Sequence, residues 1–418
     1  MSNPTPWYRT SHGRVVLIVC LIHLVINAYL VLAYGDQFLL GRLGTQDNDD
    51  VMYLTSAWTL LETGRFVYHD VNTPSVFIMP GHTVILAGMS LAFGRMGALT
   101  AFRLFQAVLQ ALSIVLLYWI GEELFSRNVA VTACLISLFY PPNYASTGLI
   151  LTEVEFKFLL LALVLATIRA LRTRSPYWYA IGGLFWGLAC LFRPAIALYP
   201  IVVLIMWLRH RYTYREMLRF TAIVVSVFSL VLLPWWLRNL ETFHRFIPLT
   251  KASGNPFLQG TYINYDQSRE YTPYVEPTEG KDAIELDRVE IETGKRHLAT
   301  YFWRQPVAYL WWYTVGKSWY LWSDAYYWIE VLGIPSYAAT LIHGLIAAAG
   351  LMGARSVVHK GPSDAMLLPL IVVYSTVTHL PFYTCSRYAY PTMSLVILLA
   401  SAAYRRAIGE LLAGAARR

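Results

Sequence analysis

The chain has 418 residues, 56% of them hydrophobic and only 14% charged, with a mean hydropathy of +0.45. A soluble globular protein carries about a quarter charged residues, so a soluble fold is excluded and a polytopic membrane protein is implied. The net charge of +8 does not point to nucleic acid, because most Lys and Arg residues lie in short turns between apolar runs, where membrane topology places them.

From the N-terminus, Val15 to Ala33 is long enough to span and lacks a small-residue cleavage site, so it reads as a retained first span. Arg9 and Arg14 before it put the N-terminus in the cytoplasm. Residues 35–94 then form an outer loop that opens on an acidic cluster, Asp47, Asp49 and Asp50, where charge against a bilayer is expensive without a use. Within it, Asp50 to Thr63 reads as an amphipathic helix with Leu54, Ala57, Leu60 and Leu61 on one face and Gly64 as its stop. Residues 77–93 sit at the lower length limit for a span and contain Pro80, Gly81 and Gly88. They are expected to form a second interfacial or re-entrant helix, because only then does every basic cluster face the cytoplasm.

Further spans are expected over residues 101–120, 129–146, 154–168, 177–192, 195–208, 218–237, 334–353, 365–382 and 388–404. This is an all-α polytopic fold of about ten transmembrane helices in one membrane domain, 1–418, with both termini cytoplasmic. The hairpin at Arg193-Pro194 has unusually short arms. The outer segment 238–333 is too long for an idle connection; residues 282–303 and Pro306 to Trp322 read as amphipathic surface helices, and 334–418 closes the chain with transmembrane helices. The four cysteines, Cys20, Cys134, Cys190 and Cys385, show neither metal-ligand spacing nor a disulfide framework. There is no glycine-rich nucleotide loop and no internal repeat.

With the cytoplasmic charges set aside, Asp47, Asp49, Asp50, His69, Asp70, Glu153, Arg193, Arg238, Lys251, Lys317 and Arg387 remain on the outer side. A helix N-cap would occupy one aspartate of the cluster, leaving the others free to take a proton or bind a cation; Asp49 lies one helical turn before Tyr53. Glu153 is either a first-turn glutamate favoured by the helix dipole or a second carboxylate facing the first. Arg238 and Arg387 oppose the positive-inside bias. A lone outer Arg is an interfacial anchor, whereas several, with Lys317, suggest a grip on a lipid phosphate. A base beside a phosphate clamp suits transfer of a group from a lipid phosphate to an acceptor hydroxyl.

These residues carry a resemblance. Asp49-Asp50-Val51-Met52-Tyr53, Leu61-Glu62-Thr63-Gly64, Met79-Pro80-Gly81-His82, Leu151-Thr152-Glu153, Phe192-Arg193-Pro194, Pro234-Trp235-Trp236-Leu237-Arg238-Asn239 with Phe246-Ile247-Pro248-Leu249, and Arg387-Tyr388 follow one another as in GT-C glycosyltransferases. The chain is similar to the dolichyl-phosphate-mannose protein mannosyltransferase and aminoarabinose transferase type. That resemblance implies the GT-C fold, an active site on the outer face of the cytoplasmic membrane, a polyprenyl-phosphate sugar donor, a glycan, lipid or protein acceptor, and inversion at the anomeric carbon. It implies Asp49 as general base with Asp50 as close rival, and Glu153 as the second acidic residue. Tyr53, His69, His82, Arg193, Arg238, Lys317, Arg387 and Tyr388 are expected around the substrate, and a divalent cation, if one is used, would sit on Asp49 and Glu153. His82 stands where a tyrosine is common, and the separate soluble domain of larger members is not read here. A transporter or flippase of lipid-linked sugars is the alternative, though such proteins place ionisable groups in mid-span and show paired repeats. A ligase or polymerase acting on a lipid diphosphate shares the architecture.

Overall fold

In a computed structural model, residues 7–268 and 282–415 are described, and they are helical without strands. In chain order the helices are α1 (Ser11–Tyr34), α2 (Asp49–Thr63), α3 (Pro80–Leu124), α4 (Arg127–Leu138), α5 (Pro142–Gly148), α6 (Glu153–Thr173), α7 (Pro176–Cys190) and α8 (Pro200–Arg209). They continue with α9 (Tyr214–Phe243), α10 (Gly254–Thr261), α11 (Ala283–Tyr301), α12 (Pro306–Trp311), α13 (Lys317–Trp322), α14 (Ser336–Lys360), α15 (Leu367–His379) and α16 (Ser386–Ala415).

Capping chemistry fixes several starts. Thr10 accepts the Gly13 N–H ahead of α1, Thr213 and Glu216 form a reciprocal capping box ahead of α9, and Asp282 accepts two N–H groups ahead of α11. α3 joins residues 77–93 to the expected span 101–120 and is interrupted at Gly94, whose φ of 73° and ψ of 166° are not helical. Arrangement beyond the break is set by packing. α6 is buried along almost its whole length and packs against α3, α7 and α16, so it is the central helix of the bundle. α1 lies against α3 and α4, α7 against α9, and α14 against α16.

Among the described residues, four helices are each long and apolar enough to cross a bilayer: Ser11–Phe38, Gly81–Leu124, Tyr214–Phe243 and Ser336–Lys360. Of the other expected spans, 154–168 and 388–404 lie within the single helices α6 and α16, and the rest are shorter or broken. Residues 129–146 do not form one helix: α4 ends at Leu138 and, after Pro141, the short buried α5 begins, since proline removes a donor and disfavours helix just before it. The hairpin at Arg193-Pro194 is likewise a 3-10 turn (Pro194–Leu198) leading into α8. In the 238–333 segment the aromatic stretch is α12, a π-helical turn over Trp312–Gly316, and α13; a π turn shifts side-chain register within a helix and recurs at functional sites.

Candidate active site

Four charged side chains from four separate stretches meet at one end of the bundle. Asp49 comes from the first turn of α2, Glu153 from the first residue of α6, Arg193 from the connection after α7, and Arg387 from the first turn of α16. Arg387 is the hub. Its Nη1 donates to Asp49 Oδ2 at 2.6 Å and its Nε donates to Glu153 Oε1, while Arg193 Nη2 donates to the same Glu153 oxygen. Arg193 Nε also reaches Thr152 Oγ1 at 3.1 Å, and the Tyr68 hydroxyl donates to Asp49 Oδ1 at 2.8 Å. The set holds two carboxylates and two guanidiniums, so it can be buried without net charge.

Burial is uneven within it. The side chains of Glu153, Arg387 and Arg193 are 1%, 11% and 12% exposed, whereas that of Asp49 keeps 40%. Asp49 is therefore the carboxylate that an incoming molecule can reach. Burial pushes its pKa up, but Arg387 and the Tyr68 hydroxyl more than offset that, and the carboxyl titrates below its usual value. Among the described residues, Glu153 Oε2 has no hydrogen-bond partner.

Through Arg387 the cluster borders a cavity of about 1040 Å³. Arg387 and Tyr388 line it together with the aromatic residues Trp311, Trp319, Tyr320 and Trp328, and Asp324, Thr384 and Ser386 add polar lining. Trp328 also packs under Arg387, 5.8 Å from ring centre to guanidinium carbon, and Tyr388 lies under Arg193 at 5.3 Å. Aromatic walls with convergent charges at one end suit an amphiphile or a sugar carried on one.

The remaining expected residues divide. His69 is exposed beside the cluster, its ring edge on Phe77, and burial lowers its pKa while Asp49 opposes that. Tyr53 is buried behind Asp49 with its ring 4.5 Å from His82. His82 is fully buried, its Nδ1 3.3 Å from Glu155 Oε1, so it supports the site from beneath and does not line it. Asp50 turns the other way. Fully buried, it accepts N–H groups from Leu40 at 2.6 Å, Gly41 at 3.2 Å and Val51 at 2.8 Å. That corrects its standing as a rival base, because its oxygens are held by the backbone of the loop before α2.

Two expected phosphate contacts are corrected as well. Arg238 donates to the Ser75 and Phe66 carbonyls and stacks on Phe66, Trp235 and Phe243, which ties the first loop to α9 away from Arg387. Lys317 is buried behind the cavity wall, with its ammonium on the Leu380 and Phe382 carbonyls at 2.7 and 3.0 Å and over the Tyr313 ring. Burial lowers its pKa to about 7. As for a divalent cation, Arg387 already bridges Asp49 and Glu153, and among the described residues no group of three or more His, Cys, Asp or Glu side chains could hold a metal ion. The donors as arranged do not form a metal site.

Inspection of the sequence missed the layer below. Lys157, one turn after Glu153, is fully enclosed; its Nζ donates to Gln110 Oε1, to Asn143 Oδ1 at 2.9 Å and to the Tyr390 hydroxyl at 3.0 Å. Tyr390 sits one turn after Arg387, so α6 and α16 are tied twice, by Glu153–Arg387 and by Lys157–Tyr390. A signal was present: Glu153, Glu155 and Lys157 crowd the start of a presumed span, where ionisable groups mark function.

Residues 79–237 match the family model described as dolichyl-phosphate-mannose-protein mannosyltransferase. No curated protein matches the chain. Among solved structures, 98% of the chain superposes on 52% of the oligosaccharyltransferase AglB of Archaeoglobus fulgidus, in complex with an inhibitory peptide and a dolichol-phosphate, at 13% identity and a TM-score of 0.59. The apo form of the Archaeoglobus enzyme gives 14% identity over 99% of this chain and 52% of that one, also at 0.59. ArnT of Cupriavidus metallidurans bound to undecaprenyl phosphate is covered over 63% of its length by 97% of this chain, at 14% identity and 0.59. The chain thus spans about half the length of AglB and under two thirds of ArnT. At this level of identity the likeness shows the fold: the chain has the membrane fold of ArnT and AglB.

Proposed function

We propose that the protein is a membrane glycosyltransferase that moves a sugar from a polyprenyl-phosphate donor to an acceptor hydroxyl, at the end of the bundle that faces the outside of the cytoplasmic membrane. The observation that carries this function is the convergence of Asp49, Glu153 and Arg193 on Arg387, which itself lines an aromatic cavity, within a fold whose relatives were solved with dolichol-phosphate and undecaprenyl phosphate.

In this reaction Asp49, ionised at neutral pH, accepts the proton of the attacking hydroxyl. The hydroxyl oxygen bonds to the anomeric carbon from the face opposite the phosphate, the bond to the phosphate oxygen breaks, and the configuration inverts. Arg387 and Arg193 are planar donors that can share their hydrogen bonds with the departing phosphate, whose charge grows as the bond breaks. Glu153 holds both guanidiniums in place and keeps the pair from repelling. The aromatic wall takes the sugar and the first isoprene units.

A second reading has equal support from the fold, since AglB, an oligosaccharyltransferase, superposes as well as ArnT does: a donor in which a glycan is carried on a lipid diphosphate. One experiment separates them. Purified protein is incubated with a panel of polyprenyl-phosphate monosaccharides and polyprenyl-diphosphate glycans, and consumption of each is followed. Consumption of a monophosphate donor supports the proposal, consumption of diphosphate donors alone replaces it with the second reading, and consumption of none refutes both.

A further inference from the structure

A second cavity, of about 640 Å³, lies between α14 and α16 near their far ends. From Arg387 to Arg406 along α16 is roughly 28 Å at 1.5 Å per residue, so it is at the opposite end of the bundle from the acid–base cluster. Its origin is local. At Gly353 the two helices touch so closely that a Cβ would come 2.0 Å from the Leu399 carbonyl oxygen. One turn on, the small side chains of Ser356, Ala403 and Ala407 leave a groove.

The groove has a cationic rim and an apolar floor. Arg355, His359, Lys360 and Arg406 line it together with Met352 and Tyr404. Arg406 Nη1 donates to Ser356 Oγ at 2.6 Å, which draws its guanidinium across the groove from α16 to α14. Among the described residues no carboxylate lines it. Asp364, a few residues beyond Lys360, is held by Arg172 and His210. Arg169, Arg172 and Arg174 each pair with a carboxylate, whereas Arg355 and Lys360 form no ion pair among the described residues. Met352 and Leu351 are 63% and 71% exposed, so the groove opens sideways onto a surface as apolar as lipid.

We propose that this groove binds the phosphate headgroup of an anionic membrane phospholipid, with an acyl chain along Met352 and Tyr404. Arg supplies paired donors for phosphate oxygens and Lys a point charge, and basic pockets between membrane helices take such headgroups. The chemistry recognised is a phosphate. Free phosphate could supply it too, but would leave the apolar floor without a partner.

The test is native mass spectrometry of the purified full chain titrated with phosphatidylglycerol, with phosphatidylcholine as the neutral control and millimolar inorganic phosphate as competitor. The expected result is preferential retention of phosphatidylglycerol. Arg355→Gln with Lys360→Gln should weaken it about thirty-fold; the charge-keeping swap Arg355→Lys with Lys360→Arg should retain most of it. Equal retention of the two lipids would overturn the proposal, as would a Gln double variant that binds like the unsubstituted protein or a swap variant that binds as weakly as the Gln one. Displacement by inorganic phosphate would reassign the site to the free ion.

Discussion

The two ends of the bundle both gather charge, and they do so in opposite ways. At one end Arg169, Arg172 and Arg174 meet Glu123, Asp364 and Glu216 through side chains that are 15% to 43% exposed. Such pairs stabilise by about 0–1 kcal/mol, and their basic members are accounted for by membrane topology alone. At the other end Glu153, Arg193 and Arg387 are almost enclosed. Taking charges out of water there has a desolvation penalty that an apolar substitute would avoid. Charge kept in a buried place without need for stability marks work done there, and the asymmetry between the ends is the physical basis for placing the chemistry at Asp49.

That contrast can be broken by substitution. The largest effect on the fold is expected from Arg387→Ala, which leaves Asp49 and Glu153 without their common partner. Loss of one side of a buried pair costs about 3–5 kcal/mol, read as a lowered midpoint in detergent thermal unfolding, together with loss of transfer. Glu153→Gln should retain more of the fold but leave Arg193 without its carboxylate and Arg387 with Asp49 alone, lowering the transfer rate by about 10²–10³-fold in a donor-consumption assay. Lys157→Met removes the ammonium between Gln110 and Asn143. Leaving those acceptors unpaired should destabilise the protein by about 1–3 kcal/mol in the same unfolding measurement. The smallest change belongs to the opposite end: Glu123→Gln should alter stability by no more than about 1 kcal/mol and leave transfer unchanged.

A pH profile sharpens the comparison further. Because Arg387 and Tyr68 hold the Asp49 pKa below the ordinary carboxylate value, Asp49 stays ionised as pH falls and protonates only beneath the usual range. The acid limb of the transfer rate assigned to this base should therefore lie below that range, and Arg387→Gln, with the charge removed, should move it to higher pH in whatever activity remains.

Much of this was legible in the sequence, and the illegible remainder has identifiable causes. The α2 helix was visible through its apolar spacing and its Gly64 stop, with φ of 71° at that glycine. Charge placement separates residues 77–93 from 101–120, and α3, which joins them, is interrupted at Gly94. Arg193, Glu153, Arg387 and Asp49 are among the eleven polar residues that charge placement leaves on the outer side, and the pattern alone does not single them out from the other seven. Asp49 could not be told from Asp50 by composition, since only the approach of the Leu40 and Gly41 backbone decides which carboxylate is enclosed. Arg238 and Lys317 were misjudged for a related reason: each meets a set of backbone carbonyls contributed by distant segments, and no local pattern announces those. Lys157 was hidden inside an apolar run, where its partners Gln110, Asn143 and Tyr390 come from three other helices.

The most direct measurement is the single-turnover rate of sugar transfer by Asp49→Asn, with donor retention measured on the same preparation. The substitution keeps the size of the side chain but removes both its ability to take a proton and its charge opposite Arg387, which is why donor retention is measured alongside. If Asp49 is the base, transfer falls by about 10²–10⁴-fold while donor retention persists; transfer at the undiminished rate would contradict the site.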